Sequence, residues 1–82
     1  MDLGLTGKTV LITGSNRGTG WVMANQFAAE GARVIMHAID ATASYERVPD
    51  AFSVAGDITS TAGAEAVATA ALACTGALDV LV

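Results

Sequence analysis

The sequence has few residues of the kinds that cross-link a chain or bind nucleic acid. It contains one cysteine, Cys74, so it can form no internal disulfide and offers no cysteine-based metal cluster. Only four residues are basic, against eight acidic ones, and the net charge is −4. Nucleic-acid binding needs clustered Lys and Arg to neutralise phosphates, so this class of function is disfavoured.

The sequence also predicts neither a signal peptide nor a transmembrane helix. The N-terminus shows no basic leader followed by an apolar core, so no signal peptide is predicted. The apolar stretch 66–82 is interrupted by Gly76 and Asp79 and is rich in weakly lipophilic Ala and Thr. This composition argues against a transmembrane helix, and a cytoplasmic location is the expectation.

Apolar residues, by contrast, are abundant. They make up 52% of the 82 residues, whereas charged residues make up 15%. A chain of this length buries only about 60–65% of its extended surface, which leaves more apolar side chain than one small globule hides. The composition therefore resembles the interior part of a larger α/β domain.

Strand and helix patterns alternate along the chain. The sequence predicts strands at 8–13, 33–38, 51–56 and 78–82, a helix at 18–30, a short weak helix at 41–48, and a helix from Ser60 or Thr61 to about Cys74. Trp21 is interpreted as a surface aromatic off the core stripe of the first helix, with a core role as the alternative. The order βαβαβαβ predicts a single α/β domain over residues 1–82, a parallel four-stranded sheet that forms half of a doubly wound fold.

The predicted sheet has more apolar surface than its helices can cover. Parallel strands need cover on both faces, and three helices, one of them short, cannot provide it for four strands. The last strand is also an edge with no charge after Asp79. We therefore expect a homo-oligomer or a complementing polypeptide over the exposed sheet.

The most informative segment is 13–20, Thr-Gly-Ser-Asn-Arg-Gly-Thr-Gly, which joins the first strand to the first helix. The N–H groups at a helix start have no partner within the helix, and the helix dipole adds positive character there. Glycines let the main chain turn tightly and let a pyrophosphate approach. The segment predicts a nucleotide site, with an ordinary tight turn as the alternative.

The pattern Thr13-Gly14-x-x-x-Gly18-x-Gly20 resembles the cofactor fingerprint of the short-chain dehydrogenase/reductase family. Segments 5–12, 30–35, 56–59 and 78–82 resemble further elements of that family, in the same order and over nearly the whole chain. The resemblance implies a Rossmann-type fold and an NAD(P) cofactor. It also implies hydride transfer between nicotinamide and an alcohol or carbonyl carbon.

The resemblance assigns cofactor contacts to the fingerprint and to two later strand ends. The candidate cofactor-binding residues are Gly14, Ser15, Asn16, Arg17, Gly18, Thr19, Gly20, His37, Ala38, Asp57 and Ile58. Asp57 and the main chain of Ile58 are expected to hold the adenine edge, although Asp57 is also typical of a turn residue that accepts local N–H bonds. His37 either lines the ribose pocket or is a strand-end histidine with its own hydrogen bond.

Cofactor choice depends on the end of the second strand and on the fingerprint. Members that use NAD usually have an acid at the strand end, where this chain has Ala38, and Asp40 follows two residues later. Members that use NADP often have Arg before the second glycine, which is the position of Arg17 here. Its guanidinium can bind a 2′-phosphate through two hydrogen bonds. Ile39 occupies the place of a second basic residue. The sequence favours NADP, with NAD possible and an exposed turn residue as the alternative for Arg17.

No residue matches a catalytic position of the family. Its Ser, Tyr and Lys would follow the last strand matched here, and Tyr45 lies between two strands with no Lys four residues later. No metal-ligand cluster replaces them. Two hypotheses follow: a truncated NAD(P)-dependent oxidoreductase that is inactive alone, or a non-catalytic nucleotide-binding or self-assembling module.

Overall fold

The computed structural model describes residues 6–39, 48 and 50–82. Within these ranges the elements are β1 (Thr9–Ile12), α1 (Gly18–Ala29), β2 (Arg33–Ala38), β3 (Phe52–Ala55), α2 (Thr61–Thr75) and β4 (Val80–Leu81). Each lies within two residues of its predicted bounds. The predicted short helix at 41–48 falls outside the described residues except for Val48.

The four strands form one parallel sheet in the order β3-β2-β1-β4. The central pair runs in register from Thr9 opposite Arg33 to Ile12 opposite Met36. The chain moves outward from β1 to β3 and then returns to the other side of β1, so the strand order reverses beside β1. In open parallel α/β sheets, ligands bind outside the carboxyl ends of the strands at such a reversal.

Each helix covers one face of the sheet. Successive strand residues point to opposite faces, so the apolar runs of β1 and β2 contribute to both. The first core cluster lies under α1 and includes Val10, Ile12, Ala24, Val34 and Met36. The second lies under α2 and includes Leu11, Ile35, Val54, Val67 and Ala71. The predicted α/β architecture is therefore confirmed for the described residues.

Trp21 does not lie on the surface as expected. It is half-buried and packs against the core cluster under α1. The prediction was wrong because Trp21 precedes Ala24 by three residues and Ala28 by seven, and this spacing places all three on one helix face. The only tryptophan of the chain is thus fixed in the first turns of α1.

Hydrogen bonds beyond the short strand β4 extend its attachment to β1. The Thr9 N–H donates to Oδ2 of Asp79 at 2.9 Å, and the Asp79 N–H donates to the Thr9 carbonyl at 2.9 Å. At the other end, the N–H and the hydroxyl of Thr13 both donate to the Val82 carbonyl. The segment predicted as strand 78–82 is therefore attached to β1 on both sides of the two-residue strand β4.

Candidate functional site

A cleft of about 520 Å³ opens at the carboxyl edge of the sheet. It is lined by the turn between β1 and α1, by the end of β2 and by the turn between β3 and α2. The lining residues are Thr13, Gly14, Asn16, Arg17, His37, Ile39, Asp57, Ile58 and Thr59. The volume lies within the range of about 300–1,000 Å³ that small-molecule and cofactor sites occupy.

The turn between β1 and α1 depends on glycine in two ways. Gly14 and Gly18 have φ of +62° and +65°, a conformation that costs other residues about 1–2 kcal/mol. At Gly20 the constraint is space, because a Cβ atom there would lie 2.6 Å from the Gly14 carbonyl oxygen and 2.9 Å from the Cα of Ser15. The three glycines therefore shape the turn and let α1 begin directly against it.

The N-terminus of α1 has no side-chain cap. Arg17 occupies the cap position with an extended backbone, and its side chain makes no capping hydrogen bond. The N–H groups of Gly18, Thr19 and Gly20 have no partner within the helix, because the first bond of α1 runs from the Trp21 N–H to the Arg17 carbonyl at 3.4 Å. An anion at this end of α1 meets N–H donors and the positive end of the helix dipole.

His37 holds the turn from the opposite side. The Gly14 N–H donates to Nδ1 of His37 at 2.9 Å, and Nε2 of His37 lies 2.8 Å from the Gly56 carbonyl oxygen. Because an N–H group can only donate, Nδ1 is the acceptor and Nε2 carries the hydrogen that is donated to Gly56. His37 is thus both a hydrogen-bonded strand-end histidine and a lining residue of the cleft. The Gly14 amide is therefore engaged within the protein.

Two predicted site residues are buried. Ser15 is fully buried, and its Oγ accepts a hydrogen bond from the His37 N–H at 2.9 Å. Ala38 is also fully buried at the end of β2. Neither lines the cleft, so the Ser15 side chain joins the turn to β2 instead.

Asp57 provides negative charge in the cleft. Its Oδ1 accepts hydrogen bonds from the hydroxyl of Thr59 at 2.5 Å and from the Thr59 N–H at 2.9 Å. The Thr59 hydroxyl, followed by the Thr59 N–H, lowers the pKa of Asp57 below its ordinary value, against a smaller opposing effect of desolvation. The turn role predicted for Asp57 is therefore confirmed. Its adenine role stays a prediction.

The cleft brings together most of the predicted site residues from three separate segments. Those lining it are Gly14, Asn16, Arg17, His37, Asp57 and Ile58, whereas Gly18, Thr19 and Gly20 form the start of α1. Sequence reasoning missed Thr13, Ile39 and Thr59 as lining residues. Thr13 and Ile39 directly follow β1 and β2, so their position at strand ends was a usable signal.

Neither a metal site nor a membrane span is found in the described part of the chain. Within residues 6–39, 48 and 50–82, no three His, Cys, Asp or Glu side chains are grouped so that they could hold an ion. Over the same residues, neither helix has the length and apolar character that crossing a bilayer requires.

The family model for short chain dehydrogenase matches residues 8–82. The chain belongs to the short-chain dehydrogenase family. Galactitol 2-dehydrogenase of Agrobacterium fabrum is 44% identical over 95% of this chain and 32% of its own length. Sorbitol dehydrogenase of Cereibacter sphaeroides is 41% identical, with the same two coverages. The chain thus spans about a third of the length of these curated relatives.

Solved structures of short-chain dehydrogenases and reductases share the fold. The 3-ketoacyl-(acyl-carrier-protein) reductase from Brucella melitensis, complexed with NADH, gives a TM-score of 0.80 at 35% identity, over 94% of this chain and 33% of that one. The ligand-free aldohexose dehydrogenase of Thermoplasma acidophilum gives 0.83 at 25% identity, over 99% of this chain and 30% of that one. The Rossmann-type fold expected from the sequence is confirmed.

Proposed function

We propose that this chain is the dinucleotide-binding part of an NAD(P)-dependent short-chain dehydrogenase/reductase, formed as one domain over residues 1–82. The observation that carries the proposal is the start of α1, which lacks a side-chain cap and stands beside a cleft at the reversal of strand order. Two similar structures support it, since one is a complex with NADH and another, an NADH-dependent reductase, is a complex with NAD.

The residues present fit a dinucleotide. A Cβ atom at Gly14 would have nothing within 4 Å, so the turn leaves open space there, and the amides of 18–20 suit a pyrophosphate. Ile39 and Ile58 are exposed apolar side chains in the wall of the cleft and suit the flat face of adenine. Asp57 can accept from the amino edge of that ring. When bound, the nicotinamide would supply the hydride chemistry.

The cleft favours NADP over NAD. Arg17 is the single cation among the described lining residues, and it is exposed at the start of α1. A guanidinium binds a phosphate through two parallel hydrogen bonds. The position of the ribose-binding acid is occupied by the buried Ala38, and Ile39 beside it is apolar. Asp40 lies outside the described residues.

Titration of Trp21 emission with NADPH and NADH tests the proposal, because bound reduced nicotinamide accepts energy from tryptophan. We expect tighter binding of NADPH, and a loss of about tenfold in its affinity for Arg17→Ala, with NADH unchanged. Arg33→Ala is the matched control, because Arg33 is exposed at the start of β2, away from the cleft. A lack of response to both cofactors at millimolar concentration would contradict dinucleotide binding.

We expect the isolated chain to bind cofactor without catalysing hydride transfer, since none of its residues matches a catalytic position. The names of the two curated relatives make polyols the first substrates to test. Incubation with galactitol or sorbitol and either oxidised cofactor should produce no absorbance of reduced nicotinamide. Turnover by this chain alone would overturn the expectation.

Self-association, predicted from the sequence, is also part of the proposal. At the β4 edge, Leu81 and Val82 are 66% and 40% exposed, and Leu72 on α2 is 46% exposed. Covering such apolar surface is favourable by about 25 cal/mol per Å². Sedimentation at tens of micromolar should show dimers or larger species, and a clean monomer would contradict this. The cytoplasmic location stays a prediction that cell fractionation would test.

A further inference from the structure

We propose that His37 is a positioning residue, which fixes the phosphate-binding turn through its neutral imidazole and makes dinucleotide affinity fall in acid. This inference rests on the proposed function. It adds that His37 positions the turn between β1 and α1 and does not itself bind the ligand. The role requires one specific arrangement of the ring hydrogens.

Three hydrogen bonds around His37 join the turn to two strands. Nδ1 accepts from the Gly14 N–H at 2.9 Å, Nε2 donates to the Gly56 carbonyl at 2.8 Å, and the His37 N–H donates to Oγ of Ser15 at 2.9 Å. Ser15 is 0% and His37 3% exposed, so water cannot readily replace the bond between these two residues. The position of Gly14 is thus set from both β2 and the end of β3.

Protonation of His37 is incompatible with this arrangement. A protonated imidazole carries a hydrogen on both nitrogens, so Nδ1 would present a donor to the Gly14 N–H, which is itself a donor. The two groups would separate, and the turn would lose its attachment to β2. Imidazole is the side chain whose ordinary charge change falls in the range of about pH 5–8, so a comparison of binding across this range tests the arrangement.

Two charged side chains among the described residues share the cleft with His37. Arg17, from the turn between β1 and α1, and Asp57, from the turn between β3 and α2, line the same cleft as His37. Among the described residues of the strands and of the helix bodies, no other charged side chain lines it. Arg17 carries positive charge, and Oδ1 of the Asp57 carboxylate already accepts two bonds from Thr59.

Two substitutions separate the two ring nitrogens. In His37→Asn, the side-chain oxygen stands near the place of Nδ1 and keeps an acceptor for the Gly14 N–H, but it cannot be protonated in this range. In His37→Gln, the amide nitrogen reaches the place of Nε2 and keeps the donor to Gly56, while the acceptor for Gly14 is lost. The pair therefore tests the bond to Gly14 against the bond to Gly56.

Calorimetry with oxidised NAD provides the binding readout, because NAD lacks the titrating 2′-phosphate of NADP. We expect wild-type affinity to fall at least about fivefold from about pH 8 to about pH 5.5. The affinity of His37→Asn should stay nearly constant over this range. His37→Gln should bind about fivefold more weakly than the wild type at about pH 8, and its affinity should not fall further in acid. A flat wild-type profile, or the same fall in His37→Asn, would overturn the proposal.

A second measurement on the wild-type protein does not depend on cofactor binding or on the variants folding. Nitrogen NMR of the His37 ring should show hydrogen on Nε2 alone at high pH, with slow exchange of the Gly14 amide hydrogen. Protonation of His37 should accelerate that exchange at least about fivefold beyond the intrinsic effect of pH. A hydrogen on Nδ1, or exchange of Gly14 that does not respond to His37, would refute the role of His37. Failure of both NAD and NADP to bind at high pH would refute the proposed function alone.

Discussion

The two helices begin at the same edge of the sheet, but their first turns are satisfied differently. At α2, Oγ of Ser60 accepts from the Gly63 N–H at 3.0 Å, and Asp57 accepts two bonds from Thr59 just before it. At α1, Arg17 stands in the cap position and makes no such bond. One helix start is capped by a side chain of the protein, and the other is not.

The difference follows from which residue type precedes each helix. Serine carries an oxygen that accepts from a first-turn N–H, so it closes the turn within the protein. The arginine side chain has five N–H donors and no acceptor, so it cannot accept a hydrogen bond from the N–H groups at a helix N-terminus. Its guanidinium is instead the group proposed to bind the 2′-phosphate of NADP. The same position therefore carries a capping side chain at α2 and a proposed ligand-binding side chain at α1.

The largest effect is expected for Gly20→Ala. Its Cβ would meet main-chain atoms of Gly14 and Ser15, so α1 must move away from the turn, which costs about 1–3 kcal/mol of stability and removes dinucleotide binding. Gly76→Ala at the end of α2 is the control. It has φ of +77° and open space, so it should cost about 1–2 kcal/mol without loss of binding. Urea unfolding and NADPH titration measure both, and equal binding losses would contradict the comparison.

Arg17→Ser converts the start of α1 into the type found at α2. We expect the new cap to raise stability by about 1 kcal/mol relative to Arg17→Ala and to compete with the ligand for the first-turn amides. Arg17→Ser should therefore bind both NADH and NADPH less well, by about fivefold beyond Arg17→Ala. Thermal unfolding and parallel titrations measure the two effects. If both variants bind NADH equally, the first-turn amides do not bind the cofactor.

Ser60→Ala makes the opposite change at α2. Loss of the cap should lower the free energy of unfolding by about 1 kcal/mol, because the Gly63 N–H loses its acceptor. Dinucleotide affinity should change less than twofold, since the proposed pyrophosphate site is at the start of α1. Ser60→Asn retains an acceptor and serves as the control in urea unfolding. A larger binding loss in Ser60→Ala than in Arg17→Ala would reverse the assignment of the two helices.

The smallest effect concerns the pKa of Asp57. Because the Thr59 hydroxyl is the main cause of its lowering, Thr59→Val should raise the pKa partway toward the ordinary value, while the Thr59 N–H bond persists. A lowered pKa contributes stability above the pKa of the unfolded chain, and the contribution is lost as pH falls through the folded-state pKa. NMR titration of the Asp57 carboxyl group measures the shift. An unchanged midpoint in Thr59→Val would show that the hydroxyl bond has no effect.

The fold was predictable because local signals agree with it. The strand β2 has the predicted bounds, and Ser60 and Gly76 mark the ends of α2 as expected. Apolar runs specify buried parallel strands, and capping residues specify helix ends, so these features need no tertiary information. The half-buried position of Trp21 was also predictable, because its spacing from Ala24 and Ala28 places it on the same helix face.

The candidate site was predictable only in part. The glycines and Arg17 could be assigned from their spacing within one short segment. The bonds of His37 to Gly14 and Gly56, however, link residues about twenty positions apart in the sequence. Such contacts depend on strand register, which the sequence pattern does not state. The burial of Ser15 has the same origin, because its hydroxyl accepts a hydrogen bond from His37 of the neighbouring strand β2.

The most direct test is the response of main-chain amides to NADPH. Backbone NMR should show large shifts at residues 16–20 and 57–58, and little change at the start of α2, residues 61–63. This result would place the phosphates at the helix end that the protein itself leaves without a side-chain cap. Shifts confined to residues 61–63, or none at 18–20 under saturating NADPH, would contradict the account.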